Sequence, residues 1–149
     1  MVKRRISSIG MLAVIVTGCV STGSVAGSVL TSPAEPFGQS GGMAAEVTGV
    51  LVYDESSNCL LIELEEVLYP VVWPAGTRWQ ENPPAVVLRN GVRVEPGMTI
   101  YGGGGYLQRE QIEEMTGPAV AAAADLCTGA TGEIAFFNIE SDVEVVDGQ

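Results

Sequence analysis

The chain contains no histidine. Histidine is the base of Ser-His-Asp and Cys-His nucleophiles and the commonest zinc and copper ligand, so those two catalytic arrangements are excluded, and with them most zinc and copper sites. Cations are scarce too. Of 149 residues, 7 are Lys or Arg against 18 Asp and Glu, a net charge of −11. Three of the seven, Lys3, Arg4 and Arg5, sit in the first five positions. From Cys19 onward only Arg78, Arg89, Arg93 and Arg109 face all 18 acidic residues, a net charge of −14. Such a body repels phosphate backbones and anionic headgroups, so nucleic acid is not an expected partner. Its surface is expected to be solvated and acidic. Long apolar runs are also missing. Ile6 to Val16 is mostly apolar but short, and a membrane-spanning helix needs about 20 residues. The length suits one domain with a real core.

What is present begins with that N-terminal segment. Lys3-Arg4-Arg5 and the short apolar run have the form of a secretory signal, residues 1–18. Val16-Thr17-Gly18-Cys19 follows. It resembles the lipobox of bacterial lipoproteins, an aliphatic residue, two small residues and a cysteine. Val16 stands where that family prefers leucine. The resemblance implies that Cys19 receives a diacylglyceryl group and becomes the new N-terminus after cleavage. It further implies palmitate-type acylation and a cell-membrane location on the extracytoplasmic side. Two acyl chains give stable anchoring, since each buried CH2 contributes about 0.8 kcal/mol.

Residues 19–43 are rich in Gly, Ser, Thr and Pro, without apolar periodicity. They are expected to form a lipidated N-terminus and flexible tether, with residues 29–37 lying along the domain as an irregular arm as the alternative. Residues 44–149 are expected to form a single β-rich domain. Strands are expected at 46–53, 59–65, 67–73, 85–89, 92–94, 98–102, 131–138 and 143–146, where Val-, Leu- and Ile-rich runs alternate with turn residues. Asn90-Gly91 predicts a type I′ hairpin turn, although pairing across it mixes apolar and charged residues, which suggests an edge or a bulge. From Leu107 the pattern turns helical, Gly117 interrupts it, and Pro118 suits the first position of a second helix. This order predicts a mainly β fold: a small, OB-like, partly closed barrel with a helical segment before the last strands. The likeness to OB-fold-like lipoprotein domains is one of topology. A small β-sandwich is the alternative.

With Cys19 assigned to lipid, Cys59 and Cys127 remain. An oxidising compartment allows them to pair, and a structural disulfide is expected. A redox-active pair is the alternative, but the C-x-x-C spacing it usually needs is absent.

Four aromatic residues are candidates for a ligand surface: Trp73, Trp79, Tyr101 and Tyr106. Both tryptophans lie in the Pro- and Gly-broken stretch 69–79. There they serve either as core caps or as a stacking platform. Tyr101 and Tyr106 flank four glycines. A glycine run before a helix can cradle phosphate. Here the Gly-Lys-Ser/Thr continuation is missing, and a strand passing close to another backbone is preferred. Asp54, Ser56, Asn58 and Glu65 fit four positions of a calcium loop, but Cys59 replaces its required glycine. Glu65 and Glu66 would face opposite sides of a strand. No catalytic residue, metal or cofactor is therefore assigned. The expected function is a membrane-anchored binding or scaffolding module of the cell envelope, not an enzyme. Its expected partners are the membrane, through the lipid, and an envelope protein or glycan. The alternative is a hydrolase acting on envelope glycans, which requires two carboxylates about 5–10 Å apart across a groove.

Overall fold

A computed structural model describes residues 24–26, 29–34, 42–129 and 131–146. Five strands close a barrel. They are β3 (Ala45–Asp54), β4 (Cys59–Leu64), β5 (Val67–Trp73), β9 (Thr99–Gln108) and β10 (Glu133–Phe137). The ring runs β3-β4-β5-β10-β9 and back to β3. All pairs are antiparallel except β5 with β10, where Val71 and Val72 face Ala135 and Phe136 in parallel. The OB-like expectation is met, and the barrel is fully closed.

Alternation along each strand decides what lies inside. Val47 and Leu51 of β3, Leu60 and Ile62 of β4, Val71 and Trp73 of β5, and Ala135 and Phe137 of β10 share one core. The opposite faces of β5 and β10 present Val72, Ile134 and Phe136 outward. Helices α1 (Arg109–Thr116) and α2 (Pro118–Asp125) cover that outer surface with Ile112, Val120, Ala121 and Ala124. Pro118 opens α2, as its fixed φ and missing N–H favour. Gly117, at φ 91°, turns the chain between the helices. A small antiparallel sheet of β6 (Arg78–Glu81), β7 (Pro84–Val87) and β8 (Arg93–Val94) adds Val86 and Val94 to the interior core. β11 (Glu144–Val146) pairs with the first half of β9.

The tether expectation is corrected at residues 24–26 and 29–34. β1 (Ser24–Ala26) and β2 (Val29–Thr31) form a hairpin, and β2 runs parallel to the end of β5. Val29 is buried in the barrel core and Leu30 in the helix-covered core. Three apolar or β-branched residues sufficed for an added strand because β5 supplied the pairing edge. A Ser- and Gly-rich flank hid it.

Four local expectations also change. β9 continues through all four glycines to Gln108, so Tyr106 and Leu107 lie in a strand and the helix starts at Arg109. Arg78–Glu81, expected as loop, is a strand because it pairs with β7. Leu88 N–H donates to the Val92 carbonyl and Gly91 N–H to the Leu88 carbonyl, 2.8 Å each. With only Gly91 left-handed (φ 86°), this is a three-residue turn with a bulge, not a type I′ turn. Glu65 and Glu66 do not sit in a strand. They are the two turn residues between Leu64 and Val67, both left-handed at φ 51° and 67°.

The glycine run has a packing cause. A Cβ at Gly102 would lie 3.1 Å from the Phe137 ring, and one at Gly104 would collide with the Phe136 carbonyl. Small inward positions on β9 make room for the large ones on β10.

Candidate functional site

The barrel holds the four candidate aromatics in three different settings. Trp73, the last residue of β5, is 0% exposed. Its ring packs 5.4 Å from Phe137, and its Nε1 has no hydrogen-bond partner among the described residues. It is a core residue and presents no surface to a ligand. Inward alternation on β5, shared with Val71, put it there.

Tyr106 also points inward, near the opposite end of the barrel strands. It stacks on Tyr69 with centroids 4.6 Å apart, and its hydroxyl donates to the Thr48 carbonyl at 3.4 Å. Burial pushes its phenol above the ordinary range. Tyr101 faces outward. It lies opposite Glu144 in the β9–β11 pair and donates to Glu144 Oε2 at 2.6 Å. That hydrogen bond, reinforced by the Glu144 charge, raises the Tyr101 pKa.

Trp79 is half-buried on β6 and stacks against Tyr53 with centroids 4.7 Å apart. The Tyr53 hydroxyl donates to Asn58 Oδ1 at 3.0 Å. Asn58 closes the exposed loop 54–58 that leads into β4. Asp54 orders that loop. Its Oδ1 accepts from Ser56 N and Ser56 Oγ, and its Oδ2 from Ser57 Oγ at 2.6 Å. The Ser57 and Ser56 bonds hold the Asp54 carboxyl below its ordinary pKa. Of the calcium-loop residues, Asp54 is thus engaged by Ser56 and its neighbour Ser57, Asn58 by Tyr53, and Glu65 lies apart in the turn between β4 and β5. Among the described residues no cluster of three or more His, Cys, Asp or Glu could hold a metal.

The aromatics therefore do not converge. Trp79 retains a partly open ring, Tyr101 an open one, and Trp73 is enclosed. Tyr53 and Tyr69 were not singled out in the sequence. Their spacing of two from Leu51 and from Val71 was the available signal for inward placement.

A second feature is a clamp between the small sheet and the loop after β10. Arg89 Nη1 donates to the Ile139 carbonyl at 2.9 Å, and Nη2 to the Glu140 carbonyl at 3.1 Å. Asp142 pairs with the same guanidinium at 3.5 Å. Beside it lies a hollow of about 10 Å³ lined by Pro74, Thr77, Leu88 and Ser141, the room of one water. It carries a single carboxylate, Asp142, already engaged by Arg89.

Cys59 and Cys127 are bonded, with Cα atoms 5.9 Å apart. The bridge ties the start of β4 to the chain just past α2. The signal segment 1–18 and Cys19 lie outside the described residues. Among the described residues no helix is long and apolar enough to cross a membrane. No protein-family model matches the chain, and no curated protein or solved structure matches it.

Proposed function

We propose that the protein is a lipid-anchored extracytoplasmic module that binds or scaffolds in the cell envelope. The observation that carries this is the run from Lys3 to Cys19: a basic start, a short apolar stretch and Val-Thr-Gly-Cys in the order of a lipobox. The Cys59–Cys127 disulfide supports it, because such bonds persist in oxidising compartments. A binding role is supported by how the barrel is filled. Leu51, Ile62, Trp73 and Phe137 occupy the interior, so ligand contact falls to the outer faces and loops. We assign that contact to the partly open Trp79 ring with Tyr53 and the Asp54–Asn58 loop, where an apolar face adjoins polar groups.

The test is fractionation and intact mass of the mature protein against Cys19→Ser. The wild type is expected in the membrane fraction, beginning at Cys19 and carrying the mass of its acyl chains. Cys19→Ser is expected in the soluble extracytoplasmic fraction. An unacylated, soluble wild type overturns the proposal. Retention on isolated envelope glycan, compared between wild type and Trp79→Ala, tests the contact surface. Equal retention removes Trp79 from it.

A further inference from the structure

We infer that the exposed face of α2 lies against the bilayer that holds the Cys19 anchor. The inference rests on the lipid-anchor reading above and adds an orientation to it.

Three observations carry it. The first is length. The fold begins at β1, whose register starts at Ser24. Four residues, Val20 to Gly23, lie between Cys19 and Ser24, and the five steps of extended chain from Cys19 to Ser24 span at most about 18 Å. The expected tether of about 23 residues would have let the domain drift roughly 25–30 Å from the surface. By the same measure the shortened tether spans roughly 12 Å, so a strand at 24–26 removes more than half of that reach and holds whatever adjoins β1 near the membrane.

The second is position. α2 packs beside both β1 and β2. It is therefore among the elements closest to the point where the anchor joins the fold.

The third is chemistry. The outer face of α2 and its C-cap is formed by Pro118, Ala119, Ala122, Asp125 and Leu126, all exposed. Leu126 is 87% exposed, the most open large apolar side chain among the described residues. The one charge on this helix, Asp125, pairs at 3.8 Å with Arg109, a guanidinium it shares with Glu113 of α1 at 3.6 Å. The contrast with α1 is direct, for its exposed side carries Glu110 and Glu114. A body this acidic meets a lipid surface best through a face without net charge. Alanines bind lipid weakly on their own. The acyl chains supply the affinity, and a linked second contact then needs little of it.

The experiment uses the full-length acylated protein in zwitterionic phosphatidylcholine vesicles with brominated acyl chains. Leu126→Trp is compared with Val92→Trp, an exposed position on the hairpin of the small sheet, and with the wild type for the native tryptophan background. Mass of the reconstituted protein is read first. Absence of acyl chains overturns the anchor reading and this inference with it. With acylation confirmed, emission from position 126 is expected to be lost to bromine quenching and that from position 92 retained. Equal quenching, or none at 126, overturns the orientation alone. Burial of the introduced indole at position 126 that depends on protein concentration without lipid assigns the face to a second copy of the chain, and also overturns it. A Gly/Ser insertion after Val20 is expected to restore emission at 126, and persistent quenching there overturns the short-tether argument.

Discussion

Cys127, two residues beyond α2, is bonded to Cys59, the first residue of β4. The bridge spans a sequence separation of 68. It ties the end of the helical layer to β4, besides the backbone connections to β9 and β10. Cross-linking so long a loop removes about 4 kcal/mol of denatured-state entropy in the chain-entropy model. The double variant Cys59→Ser/Cys127→Ser, or the wild type under a reductant, is expected to lose stability of that order. Urea unfolding with and without reductant measures it. An unchanged midpoint contradicts a structural role for the bond.

Glu65 and Glu66 occupy a two-residue turn that needs left-handed backbone at both positions. A left-handed conformation costs a side-chain-bearing residue roughly 1–2 kcal/mol, and Asn-Gly carries far less of that cost. Two adjacent carboxylates add repulsion. Glu65→Asn/Glu66→Gly is expected to stabilise the protein by about 1 kcal/mol or more. Thermal unfolding reads the gain as a raised Tm, and a lowered Tm refutes the turn.

Gly104 sits where β9 and β10 approach most closely, and a Cβ there meets the Phe136 carbonyl and lies 3.0 Å from Val47 Cγ2. The neighbour is backbone, so the clash cannot be relieved by a rotamer. Gly104→Ala is expected to cost about 3 kcal/mol or more, above the usual overpacking range. Gly97→Ala is the contrast, since a Cβ there meets nothing within 4 Å and only its φ of 95° opposes the change. Paired denaturation curves separate packing from backbone strain.

Tyr101 and Tyr106 both have raised pKa values, from the Glu144 hydrogen bond in one case and burial in the other. The folded state therefore prefers the neutral phenol. That preference is fully present below the unfolded pKa of about 10 and is lost as pH rises through the folded values. Stability is expected to fall above about pH 10, less steeply in Tyr101→Phe. Ultraviolet titration of the phenols, followed with unfolding, checks both the order of ionisation and the slope.

Asp54 moves the opposite way. Its hydrogen bonds with Ser57 and Ser56 favour the carboxylate. Its contribution is present above the unfolded pKa of about 3.9 and disappears as pH falls through the lower folded value. Asp54→Asn is expected to flatten the acid limb of the stability curve. Chemical-shift titration of the Asp54 carboxyl reads the lowered pKa directly.

Much of this molecule was legible in local pattern. The apolar run Val67–Trp73 appears in the structure with the same bounds, and Cys59–Leu64 differs from expectation by one residue. Pro118 opens a helix because its ring suits that position in any context. Cys59 and Cys127 were the pair left once Cys19 was set aside. These features rest on side-chain period, ring geometry and thiol number, all carried by a few neighbouring residues.

Other features depended on partners far along the chain. Val29–Thr31 became a strand because β5 offered an edge, and Arg78–Glu81 because β7 did. Trp73 faces the interior and Tyr101 the outside through strand register, not residue type. Composition marked both as candidate ligand contacts, and only closure of the barrel separated them. The glycine run signals a close backbone approach but does not name the neighbour. Its meaning comes from Phe136 and Phe137, more than thirty residues later. Local residue pattern was enough to place alternation, turns and the cross-link. Which faces are hidden follows from the assembled barrel, because burial is a property of strands brought together and not of any one of them.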